Sequence, residues 1–172
     1  MTEYFIQEQQ LSATTRTVIK NCQGKALYLM VGNWGRKGNV LTLYDMSGEV
    51  VAAIKQASVI FGHKFEIYLG IEKVGNLHKI FNWPGDFYYI KHLNWAVYGN
   101  IYHHKYKINH FNEPIMRMDK ATLLTGDYYV MDVTNPKDAP ICICIAAIMD
   151  YWLYNRKKQP ENTSNLEVNF SS

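Results

Sequence analysis

The chain has 172 residues, a length that suits one domain with a substantial core. Apolar residues make up 48% and charged residues 19%, a balance that excludes a disordered chain and is typical of a globular protein. The formal net charge of +3 allows attraction to anionic surfaces, but the basic residues do not form the dense stripe of a nucleic-acid-binding protein. We therefore expect no nucleic-acid partner.

The cysteines and the N-terminus indicate a reducing compartment. Cys22, Cys142 and Cys144 are odd in number, and the C-x-C spacing of the last two fits neither a zinc knuckle nor a thioredoxin-like site. We expect buried free thiols. The first residues, "MTEYFIQEQQ", lack the basic and then apolar pattern of a secretory signal. These features favour a cytoplasmic protein, with a peripheral position at the inner membrane face as a further expectation.

Residues 4 to 133 carry a hydrophobic pattern with a period of two, which predicts β-strands. In "HKYKINHF", for example, Tyr106 and Ile108 alternate with Lys105 and Lys107. The abundant aromatic residues, 14% of the chain, also suit a pleated and half-buried surface. No segment before residue 137 shows a sustained helical period.

Turn-like stretches separate these strands into hairpins. "NCQGK", "DMSGEV", "NWPGD" and "HFNEP" all contain residues that tolerate or enforce chain reversal. The segments between them form a loose repeat of roughly 19 to 25 residues, each a strand, a connector and a strand. An ordinary meander without true repeats would give nearly the same strand count. The sequence predicts a mainly β protein, a closed antiparallel barrel of about twelve strands, because closure removes exposed sheet edges.

The segment "APICICIAAIMDYWLYNRKK" predicts one helix at about residues 138–156. Asp138 is placed to cap its N-terminus, and Pro140 is tolerated in the first turn. The cations of residues 156–158 suit the C-terminal dipole. Apolar residues occupy every side of this helix, which predicts burial all round. One face carries Ile141, Ile145, Ile148 and Trp152.

The length of this segment decides between the two environments that could bury it. The apolar run from Ala139 to Met149 covers about 11 residues before Asp150, whereas a membrane span needs about 20. A helix of about 17 residues would be about 25 Å long, close to the height of a barrel with seven-residue strands. A barrel of more than about eight strands also leaves space inside. We expect the helix to lie along the barrel axis, with a membrane span as the alternative.

A many-stranded barrel threaded by a hydrophobic C-terminal helix resembles the tubby C-terminal-like superfamily. The chain most resembles small bacterial members of its LURP-one-related family, which is also similar to phospholipid scramblases. The resemblance rests on "LYDMSGEVVAAIKQ", on the following "FGHKFEIY" and on the terminal helix. It covers roughly residues 3 to 156 and implies a single domain over residues 1–158. The remaining residues, 159–172, form a polar tail that we expect to be disordered.

The resemblance implies a membrane-related role without fixing it. Tubby-type domains bind phosphoinositide headgroups, and scramblases act at membranes with calcium. Neither the basic lipid contacts of the former nor the acidic calcium loop of the latter can be placed on this sequence. Neither activity is therefore carried over; the weak net positive charge and the "WGRKG" segment lead us to expect a non-enzymatic protein of unknown precise role, with no cofactor, that binds anionic lipid headgroups or another ligand at a membrane surface. The alternatives are a module that binds a protein partner through outward Tyr68, Tyr88 and Tyr128, and a small enzyme or ligand carrier with a cavity beside the helix.

The candidate lipid-binding residues lie in two basic segments. "NWGRKGN" places Trp34 beside Arg36 and Lys37 on a glycine-flanked connector, a combination suited to a membrane interface. "HHKYKIN" adds Lys105 and Lys107. The competing interpretation of both segments is an ordinary solvated surface.

Other polar residues give weaker signals. His104 and His110 would share a face of one unbroken strand, but two histidines do not make a metal site, and we expect none. The aspartates suit turns, and no catalytic constellation is evident. Asp150 is the unusual residue, an acid near the end of a buried helix. We expect it to pair with a Lys, Arg or Tyr of the barrel lining or to reach the open mouth.

Overall fold

A computed structural model of the chain describes residues 1–7, 14–33, 36–58, 64–80, 85–124 and 126–158. The strands within these residues form one closed antiparallel barrel, in which each strand pairs with its neighbours in sequence and the first pairs with the last. The strands are β1 (Thr2–Gln7), β2 (Thr14–Asn21), β3 (Ala26–Asn33), β4 (Val40–Asp45), β5 (Val50–Ser58), β6 (Lys64–Leu69), β7 (Glu72–Lys79), β8 (Asp86–Lys91), β9 (Trp95–Asn100), β10 (Lys105–His110), β11 (Glu113–Leu123) and β12 (Gly126–Val133). The predicted closed barrel of about twelve strands is confirmed.

The barrel has two ends, because connections between antiparallel neighbours alternate from one end to the other. We call the lower rim the end formed by the β2–β3, β4–β5, β6–β7, β8–β9 and β10–β11 connections, by the N-terminus and by residues 134–138. The upper rim is the opposite end, formed by the β1–β2, β3–β4, β5–β6, β7–β8, β9–β10 and β11–β12 connections.

Two lower-rim turns illustrate how side chains fix the connections. In the β2–β3 turn, the Asn21 side-chain oxygen accepts hydrogen bonds from the backbone amides of Gln23 and Lys25, at 3.1 and 2.9 Å. In the β4–β5 turn, a carboxylate oxygen of Asp45 accepts from the amides of Ser47 and Glu49, at 2.9 and 3.0 Å. Such local bonds satisfy backbone donors that no ladder reaches, so both predicted turns form where expected.

The barrel wall is two-faced, as the alternating pattern predicts. On β10, Tyr106 and Ile108 are buried while Lys105 and Lys107 are exposed. Side chains from all twelve strands join the interior cluster with those of the helix. The period of two therefore sorts each strand into a core face and a solvent face.

Tyr88 does not face outward, contrary to the prediction for the aromatic surface. It is 1% exposed and lies on the inner face of β8 with Ile90, whereas Tyr89 lies on the outer side. The hydroxyl of Tyr89 donates to the Asn94 side-chain oxygen at 2.7 Å. Tyr68 and Tyr128, the other two members of the predicted surface, are half-buried.

The helical segment begins with a 3₁₀ turn, Pro136–Asp138, which leads directly into the helix α1 (Ala139–Lys158). The Asn135 side chain caps this turn by accepting a hydrogen bond from the Lys137 amide at 3.1 Å. Asp138 was predicted to be the cap, but it lies inside the turn because the helical run starts earlier than the apolar pattern does. Burial raises the pKa of its carboxyl group.

The helix lies inside the barrel and contributes to its core. Ile141, Ile145 and Ile148 are 5%, 0% and 0% exposed, which confirms their predicted burial; the side chain of Trp152 lies outside the described residues. No helix in the described part of the chain is long and apolar enough to cross a membrane. The tail, residues 159–172, also lies outside the described residues.

Candidate functional site

The β3–β4 connection carries Arg36 and Lys37 at the upper rim. It is anchored to β5, because the Gly38 amide donates to the Gln56 carbonyl at 2.8 Å and the Gln56 amide donates to the Asn39 carbonyl at 2.9 Å. Arg36 and Lys37 are exposed. Trp34, the third predicted residue of this loop, lies outside the described residues. The connection thus exposes two cations to solvent next to a backbone segment that is hydrogen-bonded to β5.

Neighbouring strands add two further cations to this side of the upper rim. Arg16 lies near the start of β2 and Lys64 is the first residue of β6, and both are exposed. Among the described residues, no carboxylate lies within 4 Å of the side-chain nitrogens of Arg16, Arg36, Lys37 or Lys64. We call these four residues the basic arc. Only Arg36 and Lys37 were predicted, since the grouping depends on strand pairing.

One acid close in sequence to Lys64 of the basic arc is already bound. Glu66 follows Lys64 on β6, and one of its carboxylate oxygens lies 2.6 Å from Nζ of Lys73 while the other accepts from the Tyr68 hydroxyl at 3.0 Å. The Lys73 hydrogen bond is the main reason that the pKa of Glu66 is lowered. Lys55 is the cross-strand partner of Glu66 and also lowers its pKa. The arc therefore keeps its positive charge.

The structure does not bring Lys105 and Lys107 together with Arg36 and Lys37. β10 is six strands away from β4 in a ring of twelve, so the two predicted segments lie on opposite sides of the barrel. Nζ of Lys105 is 4.0 Å from a carboxylate oxygen of Asp119. Nζ of Lys107 lies 5.4 Å from the centre of the Tyr98 ring, on the outer wall.

On the β7–β12 side of the upper rim, the described residues include two ion pairs and several exposed apolar side chains. Lys79 pairs with Asp86 at 3.6 Å, and Lys120 pairs with Asp127 at 3.1 Å. Exposed apolar side chains lie at the β9–β10 and β11–β12 connections on the same side of the rim. They are Tyr102, 55% exposed, Leu123, 48% exposed, and the fully exposed Leu124. Sequence reasoning missed the two leucines, although "LLTG" before a strand marks a hairpin tip with unusual apolar content.

His78, near Lys64 of the basic arc, has a lowered pKa. It is half-buried on β7, and burial lowers its pKa, with further contributions from the charges of Lys64 and Lys91. A lowered pKa keeps the imidazole neutral at pH 7. This histidine consequently adds no charge to the rim at that pH.

Asp150 meets His104 where the helix reaches the upper rim. Its carboxylate oxygen lies 3.3 Å from Nδ1 of His104, and the two side chains are 20% and 10% exposed. The His104 ring also stacks on Tyr129, with centroids 4.1 Å apart. Asp150 was expected to pair with a Lys, Arg or Tyr of the barrel lining or to reach the open mouth; its contact with a histidine at the upper rim was not among these expectations. The buried hydroxyl of Tyr106 lies nearby, and its pKa is raised well above the usual value, mainly by burial and then by Asp150.

The histidines do not form the shared strand face that an unbroken strand would give. His104 belongs to the β9–β10 turn with a φ of 54°, and β10 starts after it. His110 lies at the lower-rim end of β10. In the described ranges, no group of three His, Cys, Asp or Glu side chains could hold a metal ion.

One small cavity lies beside the helix in the described part of the interior. A cavity of about 30 Å³ lies between α1 and the β1–β3 wall, lined by Ile6, Thr17, Ile19, Met30, Ile143, Ala146, Ala147 and Asp150. Ligand pockets commonly have volumes of about 300–1,000 Å³, whereas about 10–15 Å³ suffices for one water molecule. This cavity is thus large enough for water but too small for an organic ligand.

Comparison with known proteins places the chain in a family. The model of the LURP-one-related family matches residues 2–150. The chain belongs to this family. A Bacillus subtilis (strain 168) protein described as uncharacterized protein YxjI is 24% identical over 155 residues, covering 90% of this chain and 96% of that protein.

A solved structure supports the fold of this LURP-one-related protein. The X-ray structure of an Arabidopsis thaliana protein matches it with a TM-score of 0.58, covering 87% of this chain and 90% of the plant chain. The two sequences are 13% identical, so this likeness concerns the fold alone. Family membership was predicted from the central repeat motif and the terminal helix, and it is confirmed.

Proposed function

We propose that this LURP-one-related protein is a non-enzymatic barrel that docks its upper rim on an anionic membrane surface. The observation that carries the proposal is the distribution of groups on this rim. The β2–β6 side presents the four cations of the basic arc, and the β11–β12 hairpin, whose β12 is two strands from β2 around the ring, presents Leu123 and Leu124. Cations attract anionic headgroups, and apolar tips enter the interfacial region.

The expected affinity is that of a reversible peripheral contact. A basic residue near an anionic bilayer contributes about 1 kcal/mol, so the basic arc contributes about 4 kcal/mol. Burying one exposed leucine adds about 2 kcal/mol. The total of about 6 kcal/mol corresponds to a dissociation constant of tens of micromolar. Most of this energy is electrostatic, so salt should weaken the contact.

Vesicle co-sedimentation tests this proposal. The protein is mixed with vesicles of phosphatidylcholine alone or of equal parts phosphatidylcholine and phosphatidylglycerol, at low and at high salt. We expect binding to the anionic vesicles at low salt only. The variant Arg36→Ala/Lys37→Ala should bind less, while Lys25→Ala/Lys91→Ala, which removes the same charge from the lower rim, should bind like the wild type. Equal loss in both variants would contradict docking through the upper rim.

A protein-interaction role is the second candidate, favoured by the lower rim. Met46, Ile71 and Phe111 lie at or beside the tips of three lower-rim hairpins and are 60%, 100% and 75% exposed. Isolated apolar side chains are normal on surfaces, but apolar tips on three turns of one rim are a feature of contact surfaces. Association through them would persist at high salt and weaken in Ile71→Ser/Phe111→Ser. Salt-sensitive association would exclude this role.

A further inference from the structure

A groove crosses the outer wall of the barrel where β12, β1 and β2 lie side by side. Its volume is about 300 Å³, ten times that of the interior cavity and at the lower end of the range for small-ligand sites. It exists because the barrel closes, since closure pairs Gln7 with Tyr128 and places Phe5 between Val130 and Lys20. The lining residues are Phe5, Gln7, Arg16, Val18, Lys20 and Tyr128.

The cations of the groove are spaced along one strand. Arg16, Val18 and Lys20 alternate on the outer face of β2, so the two cationic residues are about 13 Å apart at Cα with the apolar Val18 between them. Phe5 adds a half-buried aromatic surface on the neighbouring strand. The groove therefore has an apolar middle and a cation toward each end.

The charge of the groove is unbalanced. None of its lining residues is acidic, and among the described residues no carboxylate lies within 4 Å of the side-chain nitrogens of Arg16 or Lys20. The Gln7 side chain supplies a further hydrogen-bonding group. Hydrogen-bond donors and positive charges around an apolar surface favour the binding of an anion that also has an apolar part.

We propose that this groove binds a small soluble dianion whose two anionic groups are separated by an apolar segment. One anionic group would pair with the Arg16 guanidinium, whose planar fork suits a carboxylate or phosphate, and the other with the Lys20 ammonium. The apolar segment would lie over Val18 and Phe5. Arg16 of the groove also belongs to the basic arc, but the groove continues along the barrel wall to Lys20, near the lower-rim end of β2, so Lys20 distinguishes this function from membrane docking.

The length of the dianion gives the most direct test. Binding of sebacate, a long α,ω-dicarboxylate, is compared by isothermal titration calorimetry with that of succinate, which is shorter, and octanoate, which carries one carboxylate. We expect sebacate to bind at least about tenfold more tightly than either, because only sebacate engages both cations across the apolar middle. Equal affinity for the three compounds would overturn the proposal.

Matched variants locate the site. Arg16→Ala and Lys20→Ala should each weaken sebacate binding by about tenfold, the effect of losing one charge-assisted pair. Lys25→Ala removes an exposed lysine of the β2–β3 turn, outside the groove, and should leave sebacate affinity unchanged. Lys20→Gln, which keeps part of the aliphatic stem and a neutral polar end and is monitored by circular dichroism, controls for folding. A similar loss in Lys25→Ala would indicate non-specific charge attraction and contradict the site.

The same variants separate this proposal from membrane docking. Lys20→Ala should lose sebacate affinity and still sediment with anionic vesicles, whereas Arg36→Ala/Lys37→Ala should bind sebacate like the wild type. If vesicles containing phosphatidylglycerol bind and sebacate does not, the groove proposal fails while docking stands. If sebacate binds and the vesicles do not, docking fails while the groove stands.

Discussion

Nδ1 of His104 lies 3.3 Å from a carboxylate oxygen of Asp150 and thereby ties the buried helix to the β9–β10 turn. The Tyr129 ring stacks on the other side of the contact, so the imidazole lies between β12 and the helix. This arrangement fixes the helix near the upper rim, where its remaining residues continue past the level of His104. The pair therefore links the core to the rim that we propose docks on membranes.

Replacing Asp150 tests this link. We expect Asp150→Asn to lower the free energy of unfolding by about 1–2 kcal/mol, because a largely buried imidazole loses a charged hydrogen-bond partner. Asp119→Asn, at a carboxylate that is 41% exposed and faces Lys105 and Arg117, should cost less than about 0.5 kcal/mol. Chemical denaturation measures both. A double-mutant cycle with His104→Asn, which tolerates the positive φ at this position, should show non-additivity; strict additivity would contradict the coupling.

The cysteines should differ in reactivity. Cys22 is exposed in the β2–β3 turn, whereas Cys142 and Cys144 are 0% and 1% exposed in the helix. Burial also raises the pKa of the Cys144 thiol to about 12, which removes the reactive thiolate. We expect a thiol reagent at pH 8 to modify only Cys22 in the native protein and all three after denaturation. Rapid native modification at Cys142 or Cys144 would mean that the helix leaves the barrel readily.

The same thiols should make the protein less stable in alkali. Burial raises the pKa of Cys142 well above 9.0 and that of Cys144 to about 12, so the unfolded chain releases these protons at lower pH than the folded chain does. The contribution of each thiol to the free energy of unfolding is then fully present below about pH 9. It declines as the pH rises toward 12. Between pH 8 and 10 we expect the free energy of unfolding to fall by about 1.5 kcal/mol per thiol.

Denaturation of the variant Cys142→Ala/Cys144→Ala at both pH values provides the control. Its unfolding free energy should fall less between pH 8 and 10 than that of the wild type, whatever its absolute stability. We compare how the free energy of unfolding changes with pH and not its absolute value, because shortening two buried side chains also leaves cavities that lower stability. An identical decline in both proteins would show that the buried thiols do not cause it.

The interior cavity offers a stability test of the helix packing. Ala147 is half-buried and lines the 30 Å³ space beside the β1–β3 wall, so Ala147→Val should fill part of this space. We expect Ala147→Val to raise the free energy of unfolding by between zero and about 1 kcal/mol, because the added van der Waals contacts offset a small loss of helix propensity. Ile145→Val, at a fully buried position outside the cavity lining, should cost about 1 kcal/mol. Thermal denaturation that shows strong destabilisation by Ala147→Val would contradict the cavity.

Most of the fold could be predicted from the alternation of apolar and polar residues along the strands and from the length of the apolar helical segment. The placement of Tyr106 and Ile108 opposite Lys105 and Lys107 needs only a period of two, and it is confirmed. Where two similar residues are adjacent, the pattern cannot choose the face, and so Tyr88 was placed outside although its strand turns it inward. The shared face of His104 and His110 fails for a related reason, because the β10 strand starts one residue after His104.

Contacts across the closed ring could not be predicted, because they depend on which strands become neighbours. Asp150 and His104 meet only once the helix is threaded past the β9–β10 turn. Arg16 and Lys64 join Arg36 and Lys37 because β2, β3, β4, β5 and β6 are consecutive in the wall. The outer groove likewise requires that β1 pair with β12, which brings Gln7 and Tyr128 together.

The orientation of the protein on an anionic bilayer tests the central proposal most directly. An environment-sensitive fluorophore is attached either to the native Cys22, at the lower rim, or to a cysteine at the upper rim in the variant Leu124→Cys/Cys22→Ser. Vesicles of phosphatidylcholine and phosphatidylglycerol carry a lipid-bound quencher. Docking through the upper rim predicts strong quenching of the probe at position 124 and little at position 22. Equal quenching at both positions, or stronger quenching at position 22, would contradict it.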